Sequence, residues 1–82
     1  MNDQVAEALR RFRRDLSRDL DVPPFILFTD KTLHALATAL PVTREDFLAV
    51  KGTGATSWER FGPKVVEICQ GARAQARAVE RS

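Results

Sequence analysis

Val50-Lys51-Gly52-Thr53-Gly54-Ala55 stands between two short amphipathic segments, and its glycine–X–glycine centre says how the chain turns there. Two glycines one residue apart allow positive φ and a close approach to another surface. A helix that begins just after them starts with amide groups that have no intrahelical acceptor. Partial positive charge gathers at that end, so a phosphate can be held there whatever base it carries. The same turn can also be a tight connector and nothing more, and the flanking sequence has to separate the two roles.

Toward the C-terminus, Ala55 to Phe61 reads as a short helix closed by Gly62, with Pro63 at the first position of a last helix. That last helix buries Val65, Ile68, Cys69, Ala72, Ala76 and Val79, and its Ala- and Arg-rich end is expected to fray. Toward the N-terminus, Thr43 starts a helix as a variant capping box with Asp46, and Phe47, Leu48 and Val50 supply its apolar contacts. Before it, Thr29 or Asp30 caps a helix carrying Leu33, Leu36, Ala37 and Leu40, which Pro41 ends. Val5, Leu9, Phe12, Leu16 and Leu20 form one helical stripe near the start of the chain, and Val22-Pro23-Pro24 stops it. Phe25-Ile26-Leu27-Phe28, too short for a sheet strand, then reads as an extended apolar plug laid across the helices. The expected fold is an all-α, compact bundle of five helices, with the extended Pro-Pro-aromatic segment between the first two.

At 82 residues the chain is expected to form one domain over 1–82 with a core at about 5–79. Folding a chain of that size buries only roughly 60% of the surface it exposes unfolded, which leaves little room for an enzyme cleft. The single His34 and scattered serines build no nucleophile–base set, and no carboxylates are paired for acid–base work, so no catalytic residue is expected. Cys69 is alone, which excludes an internal disulfide and a multi-cysteine zinc site and points to a reducing compartment. Cys69 reads as a small buried hydrophobe and His34 as a packing or surface residue, and no metal or cofactor is expected. Acidic Asp3 and Glu7 sit where a signal peptide carries bases, and no apolar run approaches the ~20 residues of a membrane span.

The net charge of +2 is small, but its distribution is uneven. Residues 1–21 hold five arginines against five acids, and 22–50 hold two bases against three acids. Residues 51–82 hold Lys51, Arg60, Lys64, Arg73, Arg77 and Arg81 against Glu59, Glu67 and Glu80. Such a surplus suits either a phosphate-binding surface or an ordinary solvated helix. The cluster Arg10, Arg11, Arg13, Arg14 allows the same two readings, the bland one being a wet face neutralised by Asp15 and Asp19. Trp58, flanked by Ser57, Glu59 and Arg60, is either partly buried structure or a contact for a base or a partner protein.

Taken in order, the basic first helix, Val22-Pro23-Pro24-Phe25-Ile26-Leu27-Phe28, Asp30-Lys31-Thr32-Leu33, Pro41-Val42-Thr43, Gly52-Thr53-Gly54 and Phe61-Gly62 resemble the HRDC domain, the helicase and RNase D C-terminal module. The resemblance spans about Ala8 to Gln70 and is nearest to the modules of bacterial RecQ-type DNA helicases; UvrD-like helicases and RNase D are other hosts. It implies a five-helix accessory domain, akin to other small helical modules, cut from the C-terminal part of a larger bacterial, cytoplasmic helicase. It further implies a non-catalytic monomer that binds DNA weakly and tunes substrate choice in repair and recombination. The alternative it allows is a regulatory module that docks on other domains of the parent helicase with little DNA binding of its own.

The residues expected on DNA are Phe25 or Trp58 against a base, and Lys51, Gly52, Thr53, Gly54, Ala55, Thr56, Arg60 and Lys64 around the phosphates. Family members similar to this chain carry a Tyr after the two prolines, matched here by Phe25, which can stack without a hydroxyl or can simply be buried with Ile26 and Phe28. Two positions depart from the family pattern. Ser57 stands where a lysine is frequent, and the polar Thr53 stands where the residue between the glycines is apolar.

Overall fold

The computed structural model describes residues 2–81, with side chains through Gln75. Helix α1 (Asp3–Leu20) is followed by a single turn α2 (Pro24–Leu27), then α3 (Asp30–Ala39), α4 (Arg44–Ala49) and the long α5 (Ala55–Arg81). No strand occurs among the described residues, so the all-α bundle of five helices holds. Its division differs from the expectation in two places.

The plug is the first. Pro23 is extended, but Pro24 to Leu27 close one helical turn before the chain extends again at Phe28. Only Leu27 and Phe28 enter the core; Ile26 is 52% exposed and Phe25 65% exposed, so the reading of Phe25 as buried is wrong. The second is the break expected at Gly62-Pro63, where α5 instead runs straight through. Phe61, Val65 and Cys69 lie on one buried stripe, and an interruption would take that stripe out of register. Pro63 supplies no N–H to the Glu59 carbonyl, a loss of about 3 kcal/mol in a free helix that the continuous burial offsets. Gly62 is no helix stop: a Cβ there would fall 2.7 Å from Trp58 Cδ2, so the missing side chain makes room for the indole. The backbone remains helical to Arg81, where fraying was expected; Ala76 and Val79, expected in the core, and the bases Arg77 and Arg81 lie outside the described side chains.

The helix starts follow local chemistry. The side chain of Asn2 accepts from Val5 N–H at 3.0 Å, Thr29 accepts from Thr32 N–H at 3.3 Å, and Thr43 accepts from Asp46 N–H at 3.1 Å. Asp46 reaches back to Val42 N–H at 3.4 Å rather than to Thr43. Leu40 ends α3 in the left-handed region, and Arg73 and Gln70 of α5 donate to the carbonyls of Leu40 and Val42 at 3.1 and 2.9 Å. Arg73, counted above in the surplus of the last third, therefore caps α3.

Around Leu27 and Phe28 the core includes Val5, Leu9, Leu33, Leu36, Phe47, Phe61, Val65 and Cys69, with Phe28, Phe47, Phe61 and Trp58 meeting as an aromatic chain. Burial pushes the Cys69 thiol up to about 11, only partly countered by nearby Arg73, so it stays a protonated, apolar filler.

Arg13 separates from its arginine neighbours. It lies against the Phe28 ring, donates to the Phe28 carbonyl at 3.1 Å and pairs with Asp30 at 2.8 Å, tying α1 to the start of α3. The hydrogen bond from Arg13, then its charge, hold the Asp30 carboxyl below its ordinary 3.8. A carboxylate depressed in the folded state adds stability above its ordinary value and loses it as pH falls through the lowered one. Asp30→Asn is therefore expected to flatten the acid limb of stability against pH below the carboxyl's ordinary value, measured by thermal melts. An unchanged acid limb would show that this pair does not contribute.

Candidate nucleic-acid interface

The glycine turn sits on the start of α3. Gly52 has φ +96°, and a Cβ there would run into the Thr32 hydroxyl and lie 3.3 Å from Thr32 Cβ. Only glycine fits both the dihedral and the space. Gly54 differs: its φ is not positive, a Cβ would meet nothing within 4 Å, and its carbonyl accepts Trp58 N–H at 2.9 Å to open α5. The first glycine shapes the turn and the second leaves the surface low.

Thr53 is turned inward. Its hydroxyl lies 2.7 Å from the carbonyl oxygens of both Phe47 and Val50, donating its one proton at the end of α4, where those carbonyls also accept the Val50 and Thr53 N–H groups. A polar residue between the glycines thus serves the connector, and its side chain is not offered to a ligand.

Beyond it, α5 begins with no acidic residue in its first turn, and no acceptor meets the N–H groups of Ala55, Thr56 or Ser57 among the described residues. Exposed Lys51 and Arg60 have no ion pair among the described residues. Lys64 lies one turn past Arg60 on the flank of α5 that bears Phe61, but Glu67 stands 3.6 Å from its ammonium. Lys51 opens instead onto a shallow groove between α3 and α4, shared with His34, Thr38 and Asp46. The free amides, Arg60 and Lys64 thus all belong to the first three turns of α5, while Lys51 opens onto the groove between α3 and α4.

Of the two aromatic candidates, Trp58 is half-buried, edge-on to Phe47 with ring centres 5.5 Å apart and seated over Gly62, so most of its ring is structural. Phe25 projects into solvent. Phe28 joins them, because it follows α2 and touches Phe61 at 5.2 Å between ring centres. The segment that carries Phe25 is thus linked to α5 through the Phe28–Phe61 contact, two turns into that helix.

Sequence reasoning missed the roles of Arg13 and Arg73. For Arg13 a signal existed, since it follows Val5 and Leu9 at four-residue steps and so falls on the edge of the buried stripe. Arg73 carried none, because its partners are carbonyls more than thirty residues away. Among the described residues no group of three or more His, Cys, Asp or Glu is arranged to hold a metal, and no helix is long and apolar enough to cross a membrane.

The family model of the HRDC domain matches residues 2–69. The ATP-dependent DNA helicase RecQ of Bacillus subtilis is 34% identical over 61 residues, and that of Pasteurella multocida 37% over 62, covering 74% and 76% of this chain. The ATP-dependent DNA helicase UvrD2 of Mycobacterium tuberculosis is 30% identical over 71 residues, 87% of the chain. The matched part is only 10% of each of these relatives. HRDC domain 3 of Deinococcus radiodurans RecQ superposes with a TM-score of 0.83 at 32% identity, covering 88% of this chain and 95% of that one.

Proposed function

Because the chain belongs to the HRDC domain family, we propose that it is a non-catalytic accessory domain of a bacterial helicase that binds single-stranded or branched DNA weakly. In this reading another part of the polypeptide hydrolyses ATP, and this domain tunes which DNA structures are held during repair and recombination. The observation that carries it is a helix start whose amides are open and whose first turn is free of acids, in a chain that also holds out an aromatic ring 65% exposed. An exposed Phe exacts a solvation penalty with no packing return, and a nucleobase is a ligand that repays it by stacking.

In this assignment Phe25 stacks a base, the amides of Ala55 and Thr56 and the low surface at Gly54 admit a phosphate, and Arg60 and Lys64 neutralise its neighbours. Lys51 reaches the strand from the groove between α3 and α4, while Gly52 and Thr53 hold the turn itself. Three neutralised phosphates give a log-affinity against log-salt slope of about −2, from about −0.7 each. Phe25→Ala is expected to weaken binding of a labelled oligothymidine by about 1–3 kcal/mol without changing that slope. Equal affinity of the variant and the parent in fluorescence anisotropy would remove the stacking assignment.

One observation favours docking on another domain of the parent helicase: Leu20 and Ile26 are exposed near Phe25 and make the patch apolar as well as aromatic. Trp58 does not add to it, being packed on Phe47. Absence of oligonucleotide binding at low salt, with Phe25→Ala still altering the substrate preference of the intact helicase, would favour docking.

A further inference from the structure

Fixing Arg13 against Asp30 changes the meaning of the arginines around it. Arg10, Arg14 and Arg18 follow one another at four-residue steps, so they stand in a row along α1, about 6 Å apart and about 12 Å end to end. All three are exposed. Asp15 and Asp19 fall toward the other edge of the exposed face, and Glu7 is the one acid that pairs with the row from its own side. The row borders the edge where Ser17 is buried and Arg13 reaches α3, and Arg10 is near enough to help lower the Asp30 carboxyl through space. α2, which carries Phe25, packs against the same helix.

Little inside the molecule occupies this row. Arg10 is 3.7 Å from Glu7, Arg14 is 3.9 Å from Asp15, and Arg18 has no ion pair among the described residues. Long, solvent-exposed pairs of this kind are weak and are readily exchanged for a polyanion. A helix dipole accounts for Arg18 in the last turn but not for Arg14 or Arg10, which lie one and two turns further in. The spacing of the row is close to that of successive phosphates on an extended single strand, and guanidinium groups pair with phosphate oxygens through two donors at once.

We propose that Arg10, Arg14 and Arg18 form a second contact surface for single-stranded DNA, along which the strand runs on α1 after passing Phe25. The inference rests on the chain binding nucleic acid, but not on the shelf at the start of α5. With both surfaces engaged, six phosphates are neutralised and the salt slope steepens to about −4.

The test is anisotropy of fluorescein-labelled oligothymidine, titrated with the 82-residue chain at several salt concentrations. It compares the parent with Arg10→Gln/Arg14→Gln/Arg18→Gln and with Lys51→Gln/Arg60→Gln, each first checked for an unchanged thermal melt. The triple variant is expected to bind more weakly, with a slope shallower by about 2. If it keeps the parent's affinity and slope while the Lys51/Arg60 variant loses binding, the inference is overturned and the α5 shelf stands. If the triple variant alone loses binding, α1 is the surface and the shelf assignment falls. A parent chain that binds no oligonucleotide overturns the inference outright.

Discussion

Truncating Phe47 to alanine is expected to destabilise the domain by about 4 kcal/mol, within the 3–5 usual for emptying a buried aromatic site. Phe47 is fully buried and sits between Trp58 at 5.5 Å and Phe61 at 6.3 Å, both edge-on, so its loss empties the junction between α4 and α5. Collapse into the void is hindered because Trp58 is also confined by Gly62. A domain of this length has about 4–12 kcal/mol of total stability, so the variant loses between a third and all of it. Urea denaturation read by circular dichroism measures the effect as a lowered midpoint with an unchanged m-value. A loss below about 1 kcal/mol would mean that the aromatic chain is not the keystone of the core.

The second large effect is at Gly52. Alanine there must adopt φ +96° and place its Cβ against Thr32, and the two penalties together amount to about 3 kcal/mol. Gly54→Ala, two residues on, should change stability by no more than about 0.5 kcal/mol, because it meets neither obstacle. Pairing Gly52→Ala with Thr32→Ala should recover the steric part and leave the dihedral part. Similar losses at the two glycines in parallel urea titrations would refute the division of labour drawn here.

The contrast between the two glycines marks how far the sequence could be read. Their spacing announces a turn, and the stripe from Val5 to Leu16 announces a helix, because both signals are local. The family pattern added that these pieces belong to one fold, and the superposition on an HRDC domain agrees. What was not legible depended on distant partners. The break expected at Pro63 ignored that Phe61 and Val65 must face one core, and the exposure of Phe25 depends on how one helical turn lies across α1. Thr53 looked like a departure from a binding motif because its partners, the carbonyls ending α4, become neighbours only once the turn has closed. At the candidate site, the pairing of Lys64 with Glu67 was visible as a three-residue spacing, whereas the splitting of Lys51 from Arg60 was not.

Pro63 divides α5 energetically even though the helix is geometrically whole. With no N–H at that position, the Glu59 carbonyl lacks its intrahelical donor and the ladder of cooperative bonds is interrupted. The eight residues from Ala55 to Gly62 are anchored sideways, by Trp58 on Phe47 and Phe61 on Phe28, more than they are propagated from the rest of the helix. That segment is thus a separate unit of local opening, able to loosen while the remainder of α5 stays packed along α1 and bonded through Arg73 to the end of α3.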